Sequence, residues 1–199
     1  MSAPASFYFD LASPLAYLAA ERVLHVLPGP AEWQPVLAAE LPGAETFEAF
    51  RCEQEQDVFR ADLARRAHAL GLQPLRWPDP FPFDSFLAMR VATYAKSIGR
   101  LVPFAQAAFR QAYAGGHSLA DPDYVLIAAA ACEMHPSAVL RGAEMRSVAS
   151  ALEDSTAAAA ALGVSEIPAL LLGRLVFAGE RALEDAAEAM AGELRGTRA

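Results

Sequence analysis

The residues with the clearest chemical potential lie near the start of the chain, where a short apolar segment ends at Asp10 and Ser13-Pro14 follows. Serine followed by proline is typical of a helix start, with Ser13 as the N-cap and Pro14 in the first turn. The amides and dipole of a helix N-terminus favour negative charge, and a serine hydroxyl there can donate a hydrogen bond to an anion. Ser13 is therefore either a plain helix cap or a residue that stabilises an anion.

Other kinds of chemical site find no support in the sequence. Neither cysteine, Cys52 or Cys132, belongs to a CxxC pair, which favours two free thiols over a disulfide scaffold. No phosphate-binding glycine motif and no G-x-S-x-G nucleophile motif is found. Arg65 and Arg66 fall on a helix face that we expect to be solvated, although one of them could reach an acidic substrate. We expect no metal site, because HxxxH and HxH spacings are lacking among His25, His68, His117 and His135.

Composition limits the class of protein further. The 199 residues are 54% hydrophobic and 20% charged, which suits one globular domain, with or without a large insertion. The net charge of −8 disfavours binding to nucleic acid or to an anionic membrane. No signal peptide and no apolar run of about 18 residues or more is found, so we expect a soluble, cytoplasmic protein.

The two ends of the chain have the pattern of strands. Residues 6–10 and 32–37 read as strands on either side of a helix over 14–26, which predicts a parallel β-α-β unit. Residues 167–172 and 175–178 read as a hairpin closed by a turn at 173–174. A final helix is predicted over residues 181–194.

The middle of the chain has the pattern of helices. We predict them over residues 53–70, 84–98 with Asp84 as the cap, 103–116, 121–131 and 136–162, with a proline-rich connector over 72–83. Without this block, the order β-α-β … β-β-α is that of a thioredoxin fold. The prediction is an α/β protein, with a thioredoxin-like domain over 1–44 and 160–199 and a large all-helical insertion over 45–159.

Several segments, in this order and spacing, resemble one family. They are FYFDLASPLAYLA at 7–19, FRADLARRAHALGL at 59–72, FPFDSFLAMR at 81–90, the helical pair at 103–126, GVSEIP at 163–168 and GERAL at 179–183. The sequence resembles the 2-hydroxychromene-2-carboxylate isomerases and the related kappa-class glutathione transferases of the DsbA-like thioredoxin superfamily. This resemblance implies a thioredoxin-like fold with a helical insertion.

The resemblance also implies a mechanism centred on Ser13, which stands where thioredoxin-like oxidoreductases have their nucleophilic cysteine. Ser-Pro-Leu-Ala occupies the CxxC position, so dithiol–disulfide exchange cannot occur there. Glutathione is the implied cofactor, and Ser13 would stabilise its thiolate. The thiolate would add reversibly to a small aromatic or unsaturated acid, allow a bond to rotate or a ring to open, and leave unconsumed.

The other implied site residues are spread along the chain. The resemblance implies a cis bond at Ile167-Pro168, with the Ile167 backbone pairing with glutathione, and contacts from Glu180 and Arg181 to the γ-glutamyl end. The implied substrate contacts are Asp10, Pro14, Tyr17 and Phe83, although a buried Asp10 could instead support the Ser13 loop.

Alternative functions remain open at this point. Phe177-Ala178 replaces the Trp-Gly of the family motif, Glu180 replaces its aspartate, and the acidic stretch 38–52 has no lysine. These differences favour a DsbA-like thioredoxin-fold protein without redox cysteines that serves as a binding module, and a kappa-class-like glutathione transferase is a further alternative. The resemblance also makes a homodimer plausible.

Overall fold

The fold is built around a small mixed sheet at the two chain ends. The computed structural model describes residues 5–44 and 52–196, with side chains as far as residue 192. The strand order is β2-β1-β3-β4; β1 and β2 are parallel, and β3 is antiparallel to both β1 and β4. The predicted parallel pair and C-terminal hairpin are both confirmed. The strands are β1 (Ala5–Phe9), β2 (Ala31–Pro35), β3 (Ala169–Leu172) and β4 (Leu175–Ala178).

Helices account for most of the remaining chain. Six α-helices lie between β2 and β3 in the described ranges, as the helical insertion requires. A short 3₁₀ helix, Ala38–Glu40, follows β2. The α-helices among the described residues are α1 (Pro14–Ala20), α2 (Val23–Val26), α3 (Glu53–Ala69), α4 (Phe86–Ser97), α5 (Leu101–Tyr113), α6 (Pro122–Ala130), α7 (Pro136–Glu144), α8 (Arg146–Ala161) and α9 (Ala182–Gly196).

Helix boundaries differ from the sequence prediction at several places. The predicted helix over 14–26 is two helices, and that over 136–162 is broken at Met145, whose extended backbone ends α7 and caps α8. The helix predicted from Pro103 begins at Leu101. Because Met145 is neither glycine nor proline, the residue at this position gave no sign in the sequence that the helix breaks there.

Capping residues match the prediction more closely. Asp121 caps α6 by accepting a hydrogen bond from the Asp123 amide at 2.9 Å, as the Asp-Pro pair predicts. Asp84 accepts from the Phe86 amide at 2.8 Å, one residue earlier than the Ser85 N-cap position of α4. These side chains satisfy amides that the first helical turn leaves without backbone partners.

A continuous apolar core joins the sheet to the inserted helices. The rings of Phe7 and Phe9 on β1 contact Trp33 on β2, with centroids 5.0 and 5.6 Å apart. Phe9 also contacts Phe109 of α5 at 5.8 Å, and Phe7, Phe9 and Phe109 are completely buried. The aromatic pairs therefore hold α5 against the sheet near the end of β1.

Helix α8 fixes the chain that follows β2. The hydroxyl of Thr156 accepts from the Leu37 amide at 3.0 Å and donates to the Leu152 carbonyl at 2.9 Å. The Ser155 hydroxyl donates to the Pro35 carbonyl at 2.9 Å. These bonds hold in place the segment that leads into the 3₁₀ helix.

Neither a membrane-spanning helix nor a metal-binding cluster occurs among the described residues. No helix there has the combination of length and apolar character that a bilayer crossing requires. No group of three or more histidine, cysteine or acidic residues in that part of the chain could hold a metal ion.

Candidate functional site

Ser13 stands at the N-terminus of α1, as its sequence context predicts. Its backbone is extended, with φ −92° and ψ 116°, and its Oγ accepts a hydrogen bond from the Ala16 amide at 3.1 Å. The side chain is half-buried, and Pro14 follows in the first turn. Because Oγ acts as an acceptor in the cap, the hydroxyl hydrogen remains able to donate to a ligand.

Asp10, the residue after β1, is buried beneath the loop that leads to Ser13. Its carboxylate accepts from the amides of Ala12 at 2.9 Å and Ala38 at 3.0 Å. Burial raises the pKa of Asp10 and outweighs the backbone hydrogen bonds, which act to lower it. Asp10 therefore ties the Ser13 loop to the 3₁₀ helix, which is the supporting role that the sequence left open.

Buried aromatic rings lie under the same loop. Tyr113, at the end of α5, donates its O–H to the Ala12 carbonyl at 2.6 Å and stacks on Tyr17 at 5.5 Å. Burial, with the charge of Glu21, raises the pKa of Tyr17 to about 12. Pro14, Tyr17 and Phe83 are all buried in the structure. Sequence reasoning did not identify Tyr113, because nothing near it in the sequence indicates its partner.

The segment before β3 forms a second side of the site. The Ile167-Pro168 peptide is cis, as the resemblance implied, and Ile167 lies outside the strand ladder, which begins at Ala169. The Pro168 carbonyl accepts from the Gly179 amide at 2.9 Å. Gly179 has φ +80°, which glycine adopts without the cost that a side chain would add. This bond joins the cis-proline to the turn that carries Glu180.

A pocket of about 280 Å³ lies between α1, α3 and α9. It brings together Pro168, Glu180 and Arg181, three of the predicted cofactor-binding residues, and adds Arg66 from α3. Ser13 and Ile167 are not among its lining residues, although Leu15, in the first turn of α1, is. The inner wall is mainly apolar and is formed by Leu15, Leu18, Ala19, Ala69, Leu70, Pro168 and Leu183.

Five charged residues surround this pocket, and we call them the charged rim: Arg22, Arg66, Glu180, Arg181 and Glu184. Arg66 Nη1 lies 2.7 Å from Glu180 Oε2, and Arg22 Nη1 lies 2.7 Å from Glu184 Oε1. Arg181 pairs with Asp185, one turn along α9, at 3.1 Å. The rim therefore presents both signs of charge at the mouth of a mainly apolar pocket.

Arg66 differs from the solvated role that its sequence position favours. Asp62, one turn earlier on α3, holds its Nε at 2.6 Å, so the guanidinium is fixed from its own helix while Nη1 reaches Glu180. The Asp62 spacing is readable from sequence. The Glu180 contact is not, because it joins an inserted helix to the C-terminal part of the chain.

Comparisons with known proteins agree with this architecture. The model of the DSBA-like thioredoxin domain matches residues 6–191. A solved 2-hydroxychromene-2-carboxylate isomerase superposes with a TM-score of 0.88 at 19% identity, covering 98% of each chain. The cytosolic disulfide reductase DsbM from Pseudomonas aeruginosa, solved with GSH, gives 0.66 at 17% identity, over 97% of this chain and 100% of DsbM. A search of the curated proteins finds no match.

Proposed function

Because the chain belongs to the DSBA-like thioredoxin domain family, we propose that it is a glutathione-dependent isomerase of the 2-hydroxychromene-2-carboxylate isomerase type. The observation that carries the proposal is Ser13, a half-buried hydroxyl at the N-terminus of α1 where disulfide chemistry would need a thiol. Further support comes from the similarity to the isomerase structure, and from DsbM, a relative in fold that was solved with GSH.

The charges around the pocket fit glutathione. This tripeptide carries two carboxylates and one ammonium group, and the charged rim offers guanidinium and carboxylate groups within one pocket. In the proposal, Glu180 accepts from the ammonium group, while Arg66 and Arg181 bind carboxylate. Pro168 lies on the wall of this pocket, so the cis-proline segment would contact the same ligand.

The chemistry follows from the position of Ser13. Bound glutathione would supply a thiolate that adds reversibly to an unsaturated carbon of a small aromatic or unsaturated acid. The Ser13 O–H would donate a hydrogen bond to the sulfur, and the N-terminus of α1 would favour its negative charge, as it does for cysteines at helix N-termini. Ser13 itself forms no bond to the substrate; its role is to keep the sulfur ionised.

The aromatic residues around the connector suggest where a planar substrate would be selected. Trp77 contacts Phe81 with centroids 4.8 Å apart, and both side chains are half-buried; Arg60 lies 5.4 Å from the Trp77 ring. The buried residues near the Ser13 loop are Asp10, Pro14, Tyr17 and Phe83. We propose that these four residues shape the substrate side of the site from beneath.

One observation favours a second candidate function. Glu180, the residue proposed to accept the ligand ammonium group, already pairs with Arg66. If that pair does not open for glutathione, the protein is a thioredoxin-fold binding module for another ligand, or a kappa-class-like transferase with altered thiol recognition.

The proposal includes a cytoplasmic location and a homodimer. Cys52 and Cys132 are both free, which suits a reducing compartment. Analytical ultracentrifugation of the purified chain tests the homodimer directly, with a monomer mass as the contradicting result.

Calorimetric titration with reduced glutathione tests the cofactor assignment. We expect saturable one-site binding to the wild type and weaker binding to Ser13→Ala, with the difference growing above neutral pH as thiolate becomes abundant. Ser137→Ala, at the start of α7, is the matched control and should bind like the wild type. No binding by the wild type at millimolar glutathione would exclude the cofactor.

Two further measurements separate the candidate functions. Arg66→Ala and Glu180→Gln should each weaken glutathione binding if the charged rim holds the ligand. Isomerisation of 2-hydroxychromene-2-carboxylate, followed by its absorbance, should require glutathione and should fall in Ser13→Ala. Glutathione binding without isomerisation of any related unsaturated acid would instead favour the transferase or the binding module.

A further inference from the structure

The peptide unit that precedes Ser13 is held at both of its polar ends. Its carbonyl, from Ala12, accepts the O–H of Tyr113 at 2.6 Å, and its amide, from Ser13, donates to the Asp10 carbonyl at 3.1 Å. The Ala12 amide is held as well, by the Asp10 carboxylate at 2.9 Å. A peptide plane bonded at its oxygen and at its nitrogen cannot rotate without breaking one of those bonds.

We propose that Tyr113 is a positioning residue: its O–H fixes the Ala12–Ser13 peptide plane and thereby the orientation of Ser13 toward the anion at the N-terminus of α1. This role deepens the proposed function, because the anion in question is the ligand thiolate. Tyr113 is on α5, so one of the inserted helices bonds directly to the backbone of the Ser13 loop.

The surroundings of Tyr113 suit a permanent donor. Its side chain is 1% exposed and packs against the rings of Tyr17, Phe83 and Phe109. Burial, with the charge of Asp10 adding to it, holds the pKa of Tyr113 well above its usual value, so the O–H keeps its proton at working pH. The Tyr113 O–H therefore remains the donor to the Ala12 carbonyl.

Phenylalanine can replace Tyr113 with the ring packing retained, so the contribution of the O–H can be measured by itself. In Tyr113→Phe, the Ala12 carbonyl loses its partner and the peptide plane is held only at the Ser13 amide. The expected consequence is a loop that no longer presents residue 13 and the first amides of α1 in one orientation, which weakens stabilisation of an anion there.

A thiol built into the chain reports on this site without any ligand. In Ser13→Cys, with Cys52→Ser and Cys132→Ala to remove the native thiols, the pKa of the introduced thiol is measured from thiolate absorbance at 240 nm. The α1 N-terminus should hold this pKa below the usual cysteine value. Adding Tyr113→Phe should raise it, lowering the thiolate fraction at pH 7 about threefold or more.

Several other titratable groups lie near this loop, and they are the same in the two Ser13→Cys variants whose thiol pKa values are compared. They are Asp10 beneath it, Asp84 before α4, whose charge acts on Asp10, and Tyr17 on α1 with the Glu21–Arg110 ion pair beside it. The matched control is Tyr124→Phe, whose ring stacks on His117 with centroids 4.1 Å apart. It should leave the thiol pKa unchanged.

The outcomes separate this inference from the proposed function. A lower melting temperature for Tyr113→Phe with an unchanged thiol pKa would show a purely structural role and overturn the inference. A raised thiol pKa in a protein that does not bind glutathione would support the positioning role and exclude the cofactor. If glutathione binds, its bound thiol pKa should also rise in Tyr113→Phe, and an unchanged value would overturn the inference alone.

Discussion

The loop that precedes Ser13 and the charged rim of the pocket are built in opposite ways. The loop is held by buried side chains, among them Asp10 and Tyr113, whose polar atoms bond to the backbone. The rim is held by ion pairs between long side chains that remain partly in solvent, with Glu180 52% and Arg181 68% exposed. The buried side chains fix the backbone of the loop, whereas the charged side chains of the rim can exchange their ion-pair partners.

The difference has an energetic meaning. A buried polar group that loses its partner costs its full desolvation penalty, about 1–3 kcal/mol, and more when charge is involved. An exposed ion pair contributes about 0–1 kcal/mol because solvent already screens its charges. A ligand can therefore exchange with the pairs of the rim at little cost, whereas the loop stays in place while it does so.

The largest effect should come from removing the buried carboxylate. Asp10→Ala leaves the amides of Ala12 and Ala38 without their acceptor, and we expect a loss of about 3 kcal/mol in the free energy of unfolding. Urea denaturation followed by circular dichroism measures it. Asp57→Ala, on the exposed face of α3, is the control and should unfold like the wild type. A loss below about 1 kcal/mol in Asp10→Ala would contradict the inference that the buried loop is held more strongly than the exposed rim.

The second prediction concerns pH, because burial raises the pKa of Asp10 in the folded protein. The folded state then keeps this proton to a higher pH than the unfolded chain, whose value is near 3.8. The resulting stabilisation is complete below the unfolded pKa and is lost as the pH rises through the folded pKa.

Asp10→Asn does not titrate at this position and serves as the reference for that measurement. The free energy of unfolding of the wild type, relative to Asp10→Asn, should fall as the pH rises above 3.8 and then level off. Asp84→Asn in the wild-type background should narrow the pH range over which this difference in stability falls, since the charge of Asp84 is one cause of the raised pKa of Asp10. If the stability of the wild type relative to Asp10→Asn rises with pH, the pKa of Asp10 is not raised in the folded protein.

A smaller effect is expected at the helix cap. Ser13→Ala removes the Oγ that accepts from the Ala16 amide and should cost about 1 kcal/mol of stability by calorimetry. Asp121→Ala removes the corresponding cap of α6 and should cost a similar amount. Only Ser13→Ala should also weaken glutathione binding. If both variants bind glutathione equally well, Ser13 is a plain cap.

The smallest effect on stability should come from the rim. A double-mutant cycle of Arg66→Ala and Glu180→Ala should give a coupling energy below about 1 kcal/mol, because Glu180 and Arg66 are both partly exposed. Added salt should reduce it further. Glutathione binding should nevertheless weaken several-fold in each single variant. A coupling energy as large as the Asp10→Ala loss would remove the contrast between the two regions.

Much of the fold was predictable because its signals are local. Short apolar runs indicated the four strands of the described residues, and Ser13-Pro14 and Asp121-Pro122 marked two helix starts correctly. Boundaries failed where no local breaker exists, as at Met145, where an extended residue separates two helices without proline or glycine. The family match over residues 6–191 agrees with the fold that the segment order indicated.

The candidate site also combines features that are local in the sequence with contacts that depend on tertiary packing. The sequence alone determined the parallel strand pair at the start of the chain and the helix cap at Ser13, because each depends on neighbours along the chain, whereas the match of Ser13 to a redox cysteine position came from the family resemblance. Only the tertiary structure decided that Tyr113 bonds to Ala12, 101 residues away in sequence, and that Arg66 meets Glu180. Such partners are chosen by how helices pack on the sheet, and no spacing within a single element records that packing.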